Sequence, residues 1–122
     1  MPGDLATIAF EQAERAAVVR VDGEVDMSNA DHVLHELMAR VGLDPWLVVD
    51  LTACSYVDSA GLSVIAQVEG RCREVGTGLR LVVEAESGVD RVLAMTRLNE
   101  MLNVDRTLQD AVDSARQESP AY

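Results

Sequence analysis

The amino-acid sequence predicts an α/β fold, a small mixed β-sheet of four to five strands flanked by about four helices. Three observations lead there. Two apolar runs near the start are separated only by the short turn Glu14-Arg15, as in a hairpin. Beyond them, apolar residues recur alternately at strand and at helix spacing. The run "WLVVDL" is almost continuously apolar, the pattern of a strand covered on both faces.

Each element can be justified in turn. "LATIAFEQA" and "RAAVVRVDGEV" read as the two hairpin strands. A helix over residues 29 to 41 follows from the helical spacing of Val33, Leu34, Leu37, Met38 and Val41. "DPWLVVDLTA" is the next strand, with Cys54 at its end. The stretch "CSYVDSAGLSVIA" then opens a helix that runs to about Val75, where "VGTG" breaks it. "LRLVVEA" is a strand, "SGVDRVLAMTRL" a helix and "NEMLNVD" a connection. The last helix is "TLQDAVDSARQ", with Leu108, Ala111, Val112 and Ala115 on one face. Strand 46–52, helix 60–75 and strand 79–85 are expected to form a right-handed parallel βαβ unit. No linker, repeat or low-complexity segment interrupts the pattern. One domain over residues 1–122 is therefore expected, with its core at about 5–115 and a frayed tail at 116–122.

Composition narrows the function. The 122 residues are 48% hydrophobic but only 3% aromatic, so the core must be aliphatic. Ten basic residues stand against 21 acidic ones, a formal charge of −11, and none of the basic residues is lysine. That balance argues against nucleic acid and against anionic membrane surfaces as partners. Cys54 and Cys72 make neither a disulfide framework nor a metal set, and both read as small buried groups. His32 and His35 read as surface residues of a helix rather than metal ligands. No cofactor is implied. No apolar segment reaches the ~18 residues that cross a bilayer. The first residues lack a basic region followed by an apolar run, and a cytoplasmic location is expected.

The stretch around Ser59 is the candidate site, at the meeting of a strand's carboxyl end and a helix start, where open α/β sheets place their working residues. Ser28-Asn29-Ala30-Asp31, Ser87-Gly88-Val89-Asp90 and Thr107-Leu108-Gln109-Asp110 all resemble capping boxes, so helix capping accounts for their hydroxyls. Ser59 has Leu62 three residues on, and Asp58 before it can itself be the N-cap. At ~100° per residue, Gly61, Val64, Ile65, Val68, Cys72 and Val75 form the core arc. Ser59, Leu62, Ser63 and Ala66 gather on another face, where Leu62 has no evident reason from the core. A small apolar and hydroxyl patch of this kind suits partner docking. Three roles for Ser59 stay open on this reading: a plain helix-start residue, a nucleophile, or a phosphate acceptor. The nucleophile is disfavoured because Val57 occupies the place of the first elbow glycine and no His–acid pair is near. A phosphate would lie near first-turn amides and add about −1.5 to −2 charges beside Asp58 and the loop carrying Asp26.

The segments "VDGEVDMSNADHV", "WLVVDLTACSYVDSAGLSVI" and "GLRLVVEAESGVDRVLAMTRLNEMLNV" resemble the STAS domain of bacterial anti-sigma factor antagonists. The resemblance implies a partner switch. An unphosphorylated antagonist binds an anti-sigma factor that is also a serine kinase, releasing a sigma factor. Phosphorylation by that kinase ends the binding, and a serine phosphatase resets it. By motif position the phosphorylated residue is Ser59, flanked by Asp26, Asp58 and Gly61. The expected partner contacts are Ser59, Ala60, Leu62, Ser63 and Ala66. Many regulated members carry Ser or Thr where this chain has Ala60, a change that removes a second hydroxyl and keeps the acceptor. The other role open to such a domain is that of an interaction subunit in a lipid-transport or signalling complex without phosphorylation control.

Overall fold

A computed structural model describes residues 6–120 of the chain. The hairpin strands are β1, Ala6–Ala13, and β2, Ala16–Val25, paired antiparallel throughout. Leu5, where the first strand was expected to begin, lies outside the described residues. Helix α1 covers Ala30–Met38 and strand β3 covers Trp46–Asp50. Strand β4, Cys54–Val57, leads directly into helix α2, Ser59–Val75. Strand β5 (Gly78–Val82), helix α3 (Gly88–Met95), strand β6 (Asn103–Asp105) and helix α4 (Leu108–Gln117) complete the order.

The result is a mixed sheet with four flanking α-helices, as the sequence predicts, but with six strands instead of four to five. The strand path is β1-β2-β3-β5-β6, and β4 pairs separately with the far end of β2. Both additional strands have local causes. The Asp50 carboxylate accepts bonds from the backbone N–H and the hydroxyl of Thr52, at 3.0 and 2.7 Å. This Asx turn ends β3 and sends the chain across to β2, so Cys54 begins a strand instead of ending one. Strand β6 is only three residues long and pairs with Arg80–Val82 of β5, too short to leave a period in the sequence.

The expected crossover is present, since β3 and β5 are parallel neighbours, although β4 lies between β3 and the helix. Helices α1, α2 and α3 cover one face of the sheet through Val33, Leu37, Val64, Val68, Cys72 and Leu93. Helix α4 covers the other through Ala111 and Ala115, against Ala16, Val18, Trp46, Val48 and Val82. Every residue of β3 is buried, as its unbroken apolar run requires.

Two expectations fail at helix ends. Val75, placed on the core arc, is exposed, because α2 stops at the left-handed Gly76 and Val75 lies over the Gly42 turn. The tail does not fray from residue 116: α4 continues to Gln117, and the Trp46 indole donates to the Glu118 carbonyl at 3.0 Å. Residues 121 and 122 of that tail lie outside the described residues.

On the α4 face, Arg80 donates to Asp105 at 2.7 Å, and both side chains are nearly buried. Removing one partner of such a pair strands the other charge. Asp105→Ala is expected to cost about 3 kcal/mol of stability. Urea unfolding should show this as a lower midpoint with an unchanged slope.

Candidate functional site

The site is built where two parallel strands end side by side. Val25 of β2 pairs with Val57 of β4, and the register shifts between Gly23 and Glu24. Gly23 adopts φ 105°, a left-handed conformation that favours glycine, and the irregularity turns the last residues of β2 toward β4. The Asp58 N–H then donates to the Val25 carbonyl at 3.2 Å, carrying the pairing one residue beyond β4.

Asp58 is the N-cap of α2, as expected. Its Oδ1 accepts from the Gly61 N–H at 3.0 Å. Its Oδ2 accepts from the Met27 N–H at 3.2 Å, on the loop that follows β2. One carboxylate thus ties the first turn of α2 to the loop carrying Asp26. Asp26 in turn accepts from the Ser28 N–H at 2.9 Å and from the Ser28 hydroxyl at 2.6 Å. Neither Asp26 nor Asp58 forms an ion pair with an arginine among the described residues.

The expected capping role of Ser28 fails, because its hydroxyl turns to Asp26. Asn29 occupies the N-cap position of α1 and makes no capping bond. Its side chain reaches backward instead. Oδ1 accepts from the Asp26 N–H at 3.0 Å, and Nδ2 donates to the Glu24 carbonyl at 2.8 Å. At 2% exposed, Asn29 is a buried brace for the loop, and its amide supplies both the donor and the acceptor that the loop needs. The other two capping residues are as expected, with Ser87 accepting from Asp90 and Thr107 from Asp110.

Gly61 seats α2 on the strand ends. A Cβ there would lie 2.6 Å from Val57 Cγ1 and 3.0 Å from the Val25 carbonyl oxygen. Ser59, the first residue of α2, is exposed, and its hydroxyl has no hydrogen-bond partner among the described residues. Ser63 and Ala66 are exposed on the same face, and Ser63 accepts from Gln67 Nε2 at 3.1 Å. Leu62 departs from expectation. It and Ala60 are half-buried against the main core cluster, because a leucine at the border of the core arc is long enough to reach it.

Two exposed side chains near the site were not anticipated: Met27, 85% exposed in the loop after β2, and Tyr56, 51% exposed in β4. Their signal in the sequence is faint, one apolar residue each among polar neighbours. Cys54 and Cys72 are buried free thiols. Burial pushes both up, Cys72 to about 12 with the nearby Glu69 adding to the effect. His32 and His35 are exposed on α1. Among the described residues no helix is long and apolar enough to cross a membrane, and no metal-binding cluster is present.

The family model described as the STAS domain matches residues 7–111. The chain belongs to the STAS-domain family. Among similar STAS proteins is the anti-sigma-F factor antagonist RsfB of Mycobacterium tuberculosis, 28% identical over 116 residues, which span 93% of this chain and 92% of RsfB. The crystal structure of an anti-sigma factor antagonist from Mycobacterium paratuberculosis is 30% identical, with a TM-score of 0.84 over 93% of this chain and 97% of that one. The anti-sigma factor antagonist SpoIIAA in its unphosphorylated form shares the fold, with a TM-score of 0.75 at 18% identity, over 92% and 98% of the two chains.

The dual role of Asp58 has a direct consequence. Asp58→Ala removes both the cap and the anchor for Met27 and is expected to cost about 1–2 kcal/mol, the range for a lost N-cap. Asp58→Asn keeps one accepting oxygen for the Gly61 cap but turns a donating Nδ2 toward the Met27 N–H, so it should keep the cap and lose the Met27 anchor. Amide hydrogen exchange at Met27 and Gly61 should accelerate in the alanine variant first.

Proposed function

We propose that this STAS chain is an anti-sigma factor antagonist whose docking on its anti-sigma factor is ended by phosphorylation of Ser59. The observation that carries the reading is a division of labour at the α2 start. Asp58 takes the cap, and the Ser59 hydroxyl is left exposed, with no partner among the described residues. The relatives named as anti-sigma factor antagonists support the reading.

In the unmodified state the surface offers small hydroxyl and apolar groups: Ser59, Ala60, Ser63, Ala66 and the accessible part of Leu62. The exposed Met27 and Tyr56 extend it. The partner is an anti-sigma factor with serine-kinase activity. Ser59 Oγ attacks the γ-phosphorus of ATP on the kinase, the Oγ–P bond forms, ADP leaves, and the hydroxyl proton passes to a base of the kinase. A serine phosphatase hydrolyses the ester and restores the hydroxyl.

The electrostatics favour eviction. Phosphoserine brings about −1.5 to −2 charges to a site that already holds Asp26 and Asp58, neither of which pairs with an arginine among the described residues. The first-turn N–H groups of α2 that Asp58 leaves free can donate to the anion locally, so the helix tolerates the phosphate. A docked partner surface chosen for a neutral hydroxyl meets several like or unsolvated charges instead, a cost of several kcal/mol.

Ser59→Ala should bind the kinase constitutively in a titration containing ATP. Phosphorylated protein should bind roughly 100-fold or more weakly, and Ser59→Asp should fall between, because one carboxylate carries less charge than a phosphate. Intact mass spectrometry with the cognate kinase and ATP should add one phosphoryl group to the wild type and none to Ser59→Ala. Absence of that group on Ser59, or its presence on the alanine variant, overturns the reading.

A further inference from the structure

The two edges of the sheet are protected very differently. Strand β6 is three residues long, and its Asp105 is occupied by Arg80. Strand β1 is eight residues long, pairs with β2 on one side and, among the described residues, has no strand on the other. Edge strands are ordinarily blunted by lysine, proline, bulges or brevity. Strand β1 has none of these: its sequence is ATIAFEQA, its pairing with β2 is regular over all eight residues, and Glu11 is its single charge. Its apolar face carries Ile8 and Phe10, and Phe10 is 41% exposed although it is the chain's one phenylalanine. Beside it, Arg40 lies 3.7 Å from the Phe10 ring centroid, and Leu43 is 63% exposed.

We propose that the free edge of β1 pairs antiparallel with β1 of a second copy of this chain, with Ala9 opposite Ala9 on the two-fold axis. This register pairs seven residues of the strand, Ala6 to Gln12, with no like charges opposed; an axis at Ile8 would pair only five, Ala6 to Phe10. With Ala9 on the axis, Ile8 of each copy faces Phe10 of the other, an aromatic to β-branched pair on the apolar face. Thr7 faces Glu11 across the opposite face, so no like charges meet. Moving the axis to Phe10 sets the two Phe10 rings together but leaves each Ile8 facing a polar Gln12 and each Ala9 facing Glu11. Moving it to Glu11 sets the two carboxylates against each other, in a chain that already carries −11. A two-fold antiparallel pair keeps the same sheet face on both copies, so Ile8 and Phe10 stay on the face that α1 covers. It also closes after two chains, which ends the assembly at a dimer.

Sedimentation equilibrium of the full chain should approach twice the monomer mass as concentration rises. Ala9→Cys places thiols across a pair whose Cα separation suits a disulfide. Diamide should therefore link it quantitatively. Thr7→Cys and Glu11→Cys should each link poorly alone and well when mixed. Cys54 and Cys72 are buried and do not compete. Ala9→Glu and Ala9→Lys should each sediment as monomers, and their equimolar mixture should recover the dimer, which separates lost pairing from lost folding. A wild type that stays monomeric at every concentration overturns the proposal. So does a dimer in which the position 9 cysteines fail to cross-link.

Discussion

Strand β2 is hydrogen-bonded to three other strands, and its change of partner at Gly23 is the constraint on which the rest of the architecture depends. Up to Arg20 it lies between β1 and β3. From Gly23 onward it pairs with β4. Strand β3 has by then ended at the Asp50 turn, and β4 takes over the space it vacates. A left-handed residue is needed where the register shifts, and glycine adopts it without steric cost. Without that shift the carboxyl ends of β2 and β4 would not finish level, and the loop after β2 would not reach the start of α2.

What the strand ends bring together, Asp58 holds. Its two oxygens serve two different elements, so the loop from Asp26 to Asn29 and the first turn of α2 behave as one unit. Asn29 closes the unit from below, spending its amide entirely on the loop backbone. The unit leaves one hydroxyl uncommitted. On the proposed reading, charge at Ser59 would act on a surface whose shape is already set by other residues, so a phosphate would change the surface potential without first remaking the fold. Gly61 completes the arrangement by allowing the helix to sit against Val25 and Val57 at a distance no side chain would permit.

How legible this was depended on the range of each signal. Helix α2 announced its core face through Val64, Ile65, Val68 and Cys72, four residues repeating over about two turns, and all four are buried. Asp58 as the cap was readable because capping is decided by residues within one turn. Strands β4 and β6 were not, since four and three residues are too few to show a period. The Asx turn at Asp50 was the one local clue to β4, an aspartate two residues before a threonine inside an apolar run. Leu62 and Val75 were misplaced for a shared reason. Helical projection gives an angle but not the length of the side chain or the extent of the surface beneath it. Asn29 was hidden because its partners, Glu24 and Asp26, are backbone groups, and backbone geometry cannot be projected from residue types.

The same structure restricts which chemical signals can reach the site. Burial keeps both thiols protonated at neutral pH, with Cys72 pushed up to about 12, so neither offers a thiolate to an oxidant. Acidity restricts the other direction. A chain of −11 repels polyanions at long range, and the exposed groups around Ser59 are small apolar and hydroxyl side chains that act only over short distances. Such contacts are sensitive to a new charge placed among them. A phosphate on an arginine-rich surface would be neutralised by its neighbours; the proposed phosphate beside Asp26 and Asp58 would not be. On the proposed reading, the acidic setting of Ser59 is what would turn one modified hydroxyl into a large change in partner affinity.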